Sequence, residues 1–219
     1  MSIKVLIADD HELARYAIRT LLGSVSELSD AVFEEAENGR EALAMANQSK
    51  PDIVIMDITM PELNGIEATR QIRQAHPHTK VIILSMHNRR QYLRELIQAG
   101  ISGYVLKTRV MHDIPAAVHS AIAGKVYYSS KVASLISEDY ANIISGKDNN
   151  LKKQLSSRQR EVLQLIAEGK STKEIALSLG VTTKAIEALR HRIMQKLEID
   201  NIVGLTKYAL QEGLTVLDF

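Results

Sequence analysis

Short apolar runs alternate with amphipathic segments through the first half of the chain. The runs that predict buried strands lie at residues 4–8, 31–35, 53–56, 81–84 and 103–106. Segments with helical spacing of apolar residues separate and follow them, at 13–22, 40–46, 66–75, 92–99 and 113–123. Strands that alternate with helices in this way predict an α/β fold with a doubly wound, five-stranded parallel sheet.

The first amphipathic segment takes its apolar stripe from Leu13, Ala14, Ala17, Ile18, Leu21 and Leu22. The last contains Pro115, which we expect in the first turn of its helix, where proline is tolerated.

Polar side chains follow the predicted strands where each strand ends. Asp9 and Asp10 follow the first strand, and Asp57 ends the third. Ser85 and Lys107 follow the fourth and fifth. Each one alone also fits a solvated strand end, and Asp57 also fits a turn. Because parallel strands end at one edge of a sheet, we expect all five side chains to meet there.

The chemistry of this set points to phosphate. Three neighbouring carboxylates repel each other and favour a hard cation such as Mg²⁺. The Asp57 carboxylate could then attack a phosphoryl group and form an acyl phosphate. Lys107 and Ser85 could bind the phosphoryl oxygens. Since no general base or leaving-group acid is evident, we expect a phosphate acceptor and not an enzyme.

The second half of the chain reads as helices only. Serines at 156–157, with Arg160 or Glu161 three to four residues on, predict a capped helix that ends at Gly169. A short helix at 173–178, a longer one at 184–197 and a fourth at 201–211 follow. The second and third form a helix-turn-helix pattern.

The 184–197 helix is net basic, which favours a major-groove reader of double-stranded DNA. The alternative is a four-helix docking module with a solvated charged face. Candidate contacts on the reader are Lys184, Glu187, Arg190 and His191. Candidate phosphate contacts, which would position the protein without specifying sequence, are Lys170, Thr182 and Thr183.

The composition limits the kinds of site that the protein can have and bears on its location. The 219 residues contain no cysteine, which excludes disulfides and thiolate metal sites and agrees with a cytoplasmic location. No segment is long and apolar enough to span a membrane. We predict a first domain at 1–124, a polar linker at 125–150 and a second domain at 151–219. Within the linker, the apolar spacing from Val132 to Ile144 could form a helix.

Residues 3–122 resemble the receiver domains of two-component response regulators, which have a flavodoxin-like fold. The residues that carry the resemblance are Asp9-Asp10, Asp57, Ser85 and the Lys107 of Tyr-Val-Leu-Lys. The resemblance implies that a sensor histidine kinase phosphorylates Asp57. It implies that Asp10, Asp57 and the Thr59 carbonyl bind Mg²⁺ directly, with Asp9 acting through water. It also implies that Tyr104 is the switch aromatic residue.

Two departures from the receiver pattern stand out. Thr108 replaces the proline that often follows the lysine, so the sequence does not determine the geometry of the loop after Lys107. After Ser85-Met86-His87, the sequence Asn88-Arg89-Arg90 places positive charge near the phosphorylation face where relatives often carry acids, which could affect the choice of kinase or the lifetime of the phosphate. His87 could shape the access of water to an acyl phosphate, or it could be an exposed loop residue.

Residues 151–215 resemble LuxR-type helix-turn-helix domains of the NarL/FixJ class. The motifs that carry the resemblance are Leu155 to Gly169, Lys173-Glu-Ile-Ala176 and Ile193-Met-Gln-Lys-Leu197. The resemblance implies a transcription regulator that binds promoter DNA and favours a homodimer when phosphorylated. The reader helix departs from relatives at Ala185, Ala188 and Leu189, which lack side chains that could reach phosphates or bases.

Two rival functions remain from the sequence. A dehalogenase-like aspartyl-phosphate hydrolase would typically need a second aspartate where Thr59 stands. Alternatively, the altered reader helix could make the second domain act through protein contacts instead of DNA.

Overall fold

The computed structural model describes residues 2–86, 90–144 and 155–215. The chain divides into two compact units. One contains all the described strands and the helices before residue 145, and the other contains the helices after residue 154. Within the described ranges, no helix combines the length and apolar character needed to cross a membrane.

The first unit is built on a parallel sheet. Its strands are β1 (Lys4–Ala8), β2 (Val32–Ala36), β3 (Ile53–Asp57), β4 (Lys80–Ser85), β5 (Gly103–Leu106) and β6 (Tyr127–Tyr128). Their spatial order is β2-β1-β3-β4-β5-β6, and every neighbouring pair is parallel. The predicted doubly wound parallel sheet is therefore confirmed, with six strands instead of five.

Among the described residues, six α-helices accompany the sheet. They are α1 (Glu12–Gly23), α2 (Gly39–Ser49), α3 (Gly65–Ala75), α4 (Arg90–Gln98), α5 (Val110–Ile122) and α6 (Ser130–Ile144). All five residues of β3 are buried, as expected for a central strand covered on both faces. A core cluster joins alternate strand residues such as Ile7 and Ile55 to Ile18 of α1 and Val118 of α5.

Three local expectations differ from the structure. Leu13 is 79% exposed, and α1 instead buries Arg15, Ile18 and Leu22. Pro115 lies in the second turn of α5, because a 3-10 turn at Lys107–Arg109 leads into a helix that begins at Val110. Residues 127–128 of the predicted linker form β6, which extends the sheet beside β5, whereas the helix expected from Val132 to Ile144 is present as α6.

Residues 155–215, the part of the second unit that is described, contain four helices: α7 (Ser157–Ala167), α8 (Thr172–Ser178), α9 (Thr183–Leu197) and α10 (Ile202–Gln211). Ser156 caps α7 in a capping box with Gln159, so the box partner is neither Arg160 nor Glu161. Ser171 caps α8 with Glu174 as its partner. The four helices share one apolar core, to which Ile175, Ile186 and Leu205 contribute.

Candidate functional site: an acidic sheet edge and a reader helix

The carboxyl ends of β1 and β3 bring their acids together. The two strands are parallel neighbours, with Ala8 opposite Met56, so Asp9 and Asp57 follow adjacent register positions. β4 flanks β3 on its other side and ends at Ser85, which pairs with Leu106 of β5. The predicted meeting of strand-terminal side chains at one edge is what the structure shows.

Lys107 joins two of the carboxylates directly. Its Nζ lies 2.7 Å from Asp9 Oδ2 and 2.9 Å from Asp57 Oδ2. The Asp9 side chain is fully buried and that of Asp57 is 5% exposed, whereas Lys107 is 18% exposed. The ammonium group is therefore held between the two acids at the rim of the pocket.

Asp10 faces a residue that the sequence arguments missed. Its Oδ1 lies 2.7 Å from Nδ1 of His11, and the His11 backbone N–H donates to Asp9 Oδ1 at 3.0 Å. The Asp10 carboxylate raises the pKa of His11. Potential ligand atoms of Asp9, Asp10 and His11 all lie within 4.8 Å of one another. The tripeptide Asp-Asp-His was a visible signal, because a third potential ligand, of a second type, directly follows the acid pair.

The electrostatics of the pocket favour a cation. Burial, followed by the charges of Asp9 and Asp10, raises the pKa of Asp57 from 3.8 to about 6, although Lys107 opposes that rise. The buried carboxylates of Asp9 and Asp57 and the partly exposed carboxylate of Asp10 thus act on this site together with one ammonium group. Oxygen donors with excess negative charge are what Mg²⁺ prefers, so the residues present fit this ion.

The raised pKa of Asp57 predicts a pH-dependent stability. The folded state holds the Asp57 proton more tightly than the unfolded state, so the free energy of unfolding falls as the pH rises from about 4 to about 6. With chelator present, we expect Asp57→Asn to be more stable than the parent chain by about 3 kcal/mol at neutral pH. Urea unfolding at several pH values measures the difference, which should shrink below pH 4 and on addition of Mg²⁺. A difference that stays constant across this range would contradict the electrostatic cause.

Ser85 and Tyr104 form a buried pair beside the pocket. Ser85 is 3% exposed and Tyr104 is fully buried. A side-chain hydrogen bond joins them, and burial raises the pKa of Tyr104 to about 12. The structure therefore places the predicted switch hydroxyl and switch aromatic residue in contact.

The loop after β3 closes tightly over the strand end. Thr59, the predicted carbonyl ligand, lies two residues beyond Asp57 and is partly exposed. The Gly65 N–H donates to the Ile58 carbonyl at 2.8 Å. A Cβ on Gly65 would lie 1.8 Å from the Asp57 carbonyl oxygen, so only glycine allows this approach.

The two departures from the receiver pattern have different outcomes. The peptide bonds around Thr108 are not cis, and residues 107–109 form the 3-10 turn that enters α5. His87, Asn88 and Arg89, together with the side chain of Arg90, lie outside the described residues. Their predicted effect on the phosphorylation face stays a prediction.

The second unit presents α9 as an exposed basic helix. Lys184, Glu187 and His191 are exposed at spacings that share a helix face, and Arg190 is partly exposed. Ile186, Ile193 and Leu197 are buried on the opposite side. α9 is therefore an amphipathic helix, with one face buried in the core of its unit and the other exposed.

The predicted phosphate contacts lie at the amino ends of α8 and α9, the two helices of the helix-turn-helix. Thr182 and Thr183 are exposed at the amino end of α9, and Lys170 is exposed just before α8. The Thr182 hydroxyl already accepts the Ala185 N–H and caps α9. Thr182 therefore has a structural role besides the predicted contact.

A parallel α/β unit with this acidic edge, followed in the chain by a helix-turn-helix unit, has the architecture of a DNA-binding response regulator. The chain belongs to that family. The response regulator receiver domain model matches residues 5–119, and the model of bacterial regulatory proteins of the luxR family matches residues 153–209. The predicted family and its DNA-binding, transcription-regulating class are thus confirmed. Members of this family work with sensor kinases and DNA, and receiver domains bind Mg²⁺ at an acidic pocket.

Individual relatives agree with this assignment. The oxygen regulatory protein NreC of Staphylococcus carnosus is 35% identical over 99% of this chain and 100% of its own length. The response regulator protein VraR of Staphylococcus aureus is 34% identical over 98% of this chain and 99% of its own. A structure of RcsB from Salmonella enterica serovar Typhimurium, bound to promoter rprA with the phosphomimetic BeF₃⁻, has a TM-score of 0.63. It is 28% identical and covers 95% of this chain and 98% of that one.

Proposed function

We propose that this protein is a transcription regulator switched by Mg²⁺-dependent phosphorylation of Asp57 by a sensor histidine kinase. The observation that carries the proposal is the position of Asp57, buried at the centre of the acidic edge and within 2.9 Å of the Lys107 ammonium. In this proposal, residues 1–124 form the receiver together with β6 and α6 from the predicted linker at 125–150, and residues 151–219 bind DNA. Because its target is promoter DNA, we place the protein in the bacterial cytoplasm.

The chemistry assigns a role to each residue of the pocket. An Asp57 carboxylate oxygen attacks phosphorus, the bond from phosphorus to the kinase histidine breaks, and an acyl phosphate forms. Asp10, Asp57 and the Thr59 carbonyl would hold Mg²⁺ directly and Asp9 would act through water. The bound ion would offset repulsion between the anionic donor and the carboxylates.

The remaining groups bind the transferred phosphoryl. Lys107, which now contacts both Asp9 and Asp57, donates to one phosphoryl oxygen. The Ser85 hydroxyl donates to another, and this exchange alters its hydrogen bond with buried Tyr104. Phosphorylation of Asp57 would thereby affect β5 through the side chains of Ser85 and Tyr104.

The DNA-binding half of the proposal rests on the free basic face of α9. We propose that Lys184, Glu187, Arg190 and His191 approach the major groove, and that Lys170, Thr182 and Thr183 contact phosphates. Phosphorylation would favour a homodimer, so that two reader helices meet successive half-sites. The test is a gel shift against DNA upstream of the protein's own gene, with and without acetyl phosphate and Mg²⁺, alongside sedimentation of the protein. We expect tighter binding and a larger particle after phosphorylation.

A charge substitution just before α8 tests the phosphate-anchored complex. We expect Lys170→Ala to weaken binding to all DNA sequences to a similar degree and to reduce the slope of log affinity against log salt by about 1. Fluorescence anisotropy at several salt concentrations measures this slope. Lys125→Ala removes the same charge from an exposed position outside the helix-turn-helix and should leave the slope unchanged.

The same titration distinguishes the rival function. If the second domain acted through protein contacts, the parent chain would show no salt-dependent affinity for any DNA fragment. That result would favour the rival reading suggested by Ala185, Ala188 and Leu189.

A further inference from the structure

Arg15 is a charged residue at a core position of α1. The helix buries Arg15, Ile18 and Leu22, a spacing at which a sheet-packed helix normally carries apolar side chains. Arg15 is 6% exposed. Burying a guanidinium group is unfavourable unless it is paired, so a residue of this kind at this position requires an explanation.

Each of the three guanidinium nitrogens of Arg15 donates a hydrogen bond. Nη1 donates to the backbone carbonyl of Asp9 at 2.8 Å. Nε donates to Glu35 Oε2 at 3.2 Å, and Nη2 donates to Glu37 Oε1 at 3.0 Å. Since Glu35 belongs to β2 and Glu37 follows it, Arg15 ties the end of β1 to the end of β2.

Asp9, one of the acids of the pocket, is held by several hydrogen bonds. The Asp9 N–H donates to the Ala36 carbonyl at 3.2 Å, and the Asp9 carbonyl accepts from Arg15. The Asp9 carboxylate accepts from the His11 N–H and lies 2.7 Å from Lys107. The main chain of Asp9 is thus held on both sides, and Arg15 provides the only side-chain bond to its carbonyl among the described contacts.

From these contacts we infer that Arg15 is a positioning residue for the Mg²⁺ pocket: it fixes the Asp9 backbone and so positions the fully buried Asp9 carboxylate, which would act on the ion through water. This role rests on the proposed function, because it assumes that the acidic edge holds a divalent cation. Arg15 itself touches neither the ion nor the phosphoryl group. It acts through Asp9, in the way that outer residues orient the ligands of other metal sites.

The direct test is metal affinity. Mn²⁺ serves as a probe for the Mg²⁺ site, and electron paramagnetic resonance counts the free ion during titration of the full-length protein. Losing an outer orienting partner typically weakens metal binding about 10-fold to 100-fold. Because Asp9 would act through water, we expect the lower end of this range: Arg15→Met should raise the Mn²⁺ dissociation constant about tenfold. Arg15→Lys keeps the charge and one donor group but not the fork, so its dissociation constant should fall between those of Arg15→Met and the parent chain.

Arg19 offers a matched control. Its Nη1 lies 3.2 Å from Glu35 Oε1, so it shares an acid with Arg15, but it is 55% exposed and its described contacts do not reach Asp9. Arg19→Met should bind Mn²⁺ like the parent chain. If Arg19→Met weakened binding as much as Arg15→Met, the effect would come from Glu35 and the inference would be wrong.

A second readout separates positioning from general structural damage. The rate of phosphorylation by acetyl phosphate, measured against Mg²⁺ concentration, should require more Mg²⁺ in Arg15→Met and recover at saturating Mg²⁺. A rate that stays low at every Mg²⁺ concentration would contradict the positioning role. If Arg15→Met does not fold, as circular dichroism would show, Arg15→Lys alone decides, and parent-like Mn²⁺ affinity in that variant overturns the inference.

The outcomes also separate this inference from the proposed function. Failure of the parent chain to bind Mn²⁺ or to be phosphorylated would overturn both. Normal binding by the parent chain together with unchanged binding by Arg15→Met would overturn only the role of Arg15.

Discussion

Asp57→Asn should abolish phosphorylation by acetyl phosphate and Mg²⁺, and with it the increase in DNA affinity. An asparagine side chain has nearly the same shape but is neutral, and its amide is a far weaker nucleophile than a carboxylate. Because the site supplies one buried central carboxylate, we expect complete loss of the phosphorylated species and not a partial reduction. Electrophoresis in gels that retard phosphoproteins measures the phosphorylated fraction.

Asp52 provides the control for this substitution. It precedes β3 at the opposite end of the same strand, is exposed, and its Oδ2 accepts the Lys4 N–H at 2.9 Å. Asp52→Asn keeps an oxygen acceptor for that bond and should be phosphorylated like the parent chain. Retention of a phosphorylated band in Asp57→Asn would mean that another side chain is the acceptor.

Gly65→Ala should disrupt both stability and phosphorylation. The added Cβ would lie 1.8 Å from the Asp57 carbonyl oxygen and 2.8 Å from the carbon of the same group. Because both atoms belong to backbone at the end of β3, the strand end or α3 has to move. We expect a loss of about 3 kcal/mol in the free energy of unfolding. A displacement of Asp57 by about 1 Å would slow phosphorylation on the order of a hundredfold.

Gly23 is the matched glycine for that experiment. It ends α1, and a Cβ there would meet no atom within 4 Å. Gly23→Ala should leave stability within about 1 kcal/mol of the parent chain and leave the phosphorylation rate unchanged. Urea unfolding and the acetyl phosphate assay measure both variants. Parent-like behaviour of Gly65→Ala would contradict the close packing of this loop on Asp57.

The sequence was most informative where burial on both faces of the sheet leaves an uninterrupted apolar run. The run that contains Ile55 identified the central strand, and parallel topology then brought Asp9 and Asp57 to one edge. β6 was missed because two residues, Tyr127 and Tyr128, are too few to show a period. The segment that holds it was therefore read as a linker.

Long-range pairing explains what the sequence could not supply at the site. Arg15 looks like a surface residue in a one-dimensional pattern, and its burial depends on pairing with Glu35 and Glu37, some twenty residues away, which the pattern does not show. The pattern made the opposite error at Leu13: it placed this residue in the apolar stripe, although Leu13 is 79% exposed. His11 was overlooked because it lies outside the strand-end pattern that selected Asp10.

Trapping of the acyl phosphate tests the central claim most directly. Borohydride reduces an acyl phosphate to an alcohol, so a phosphorylated aspartate becomes homoserine, which peptide mass spectrometry can locate. After treatment of the full-length protein with acetyl phosphate and Mg²⁺, the account predicts homoserine at position 57 alone, and none when a chelator is present. Homoserine at Asp9, Asp10 or another acid, or labelling that does not depend on Mg²⁺, would contradict it.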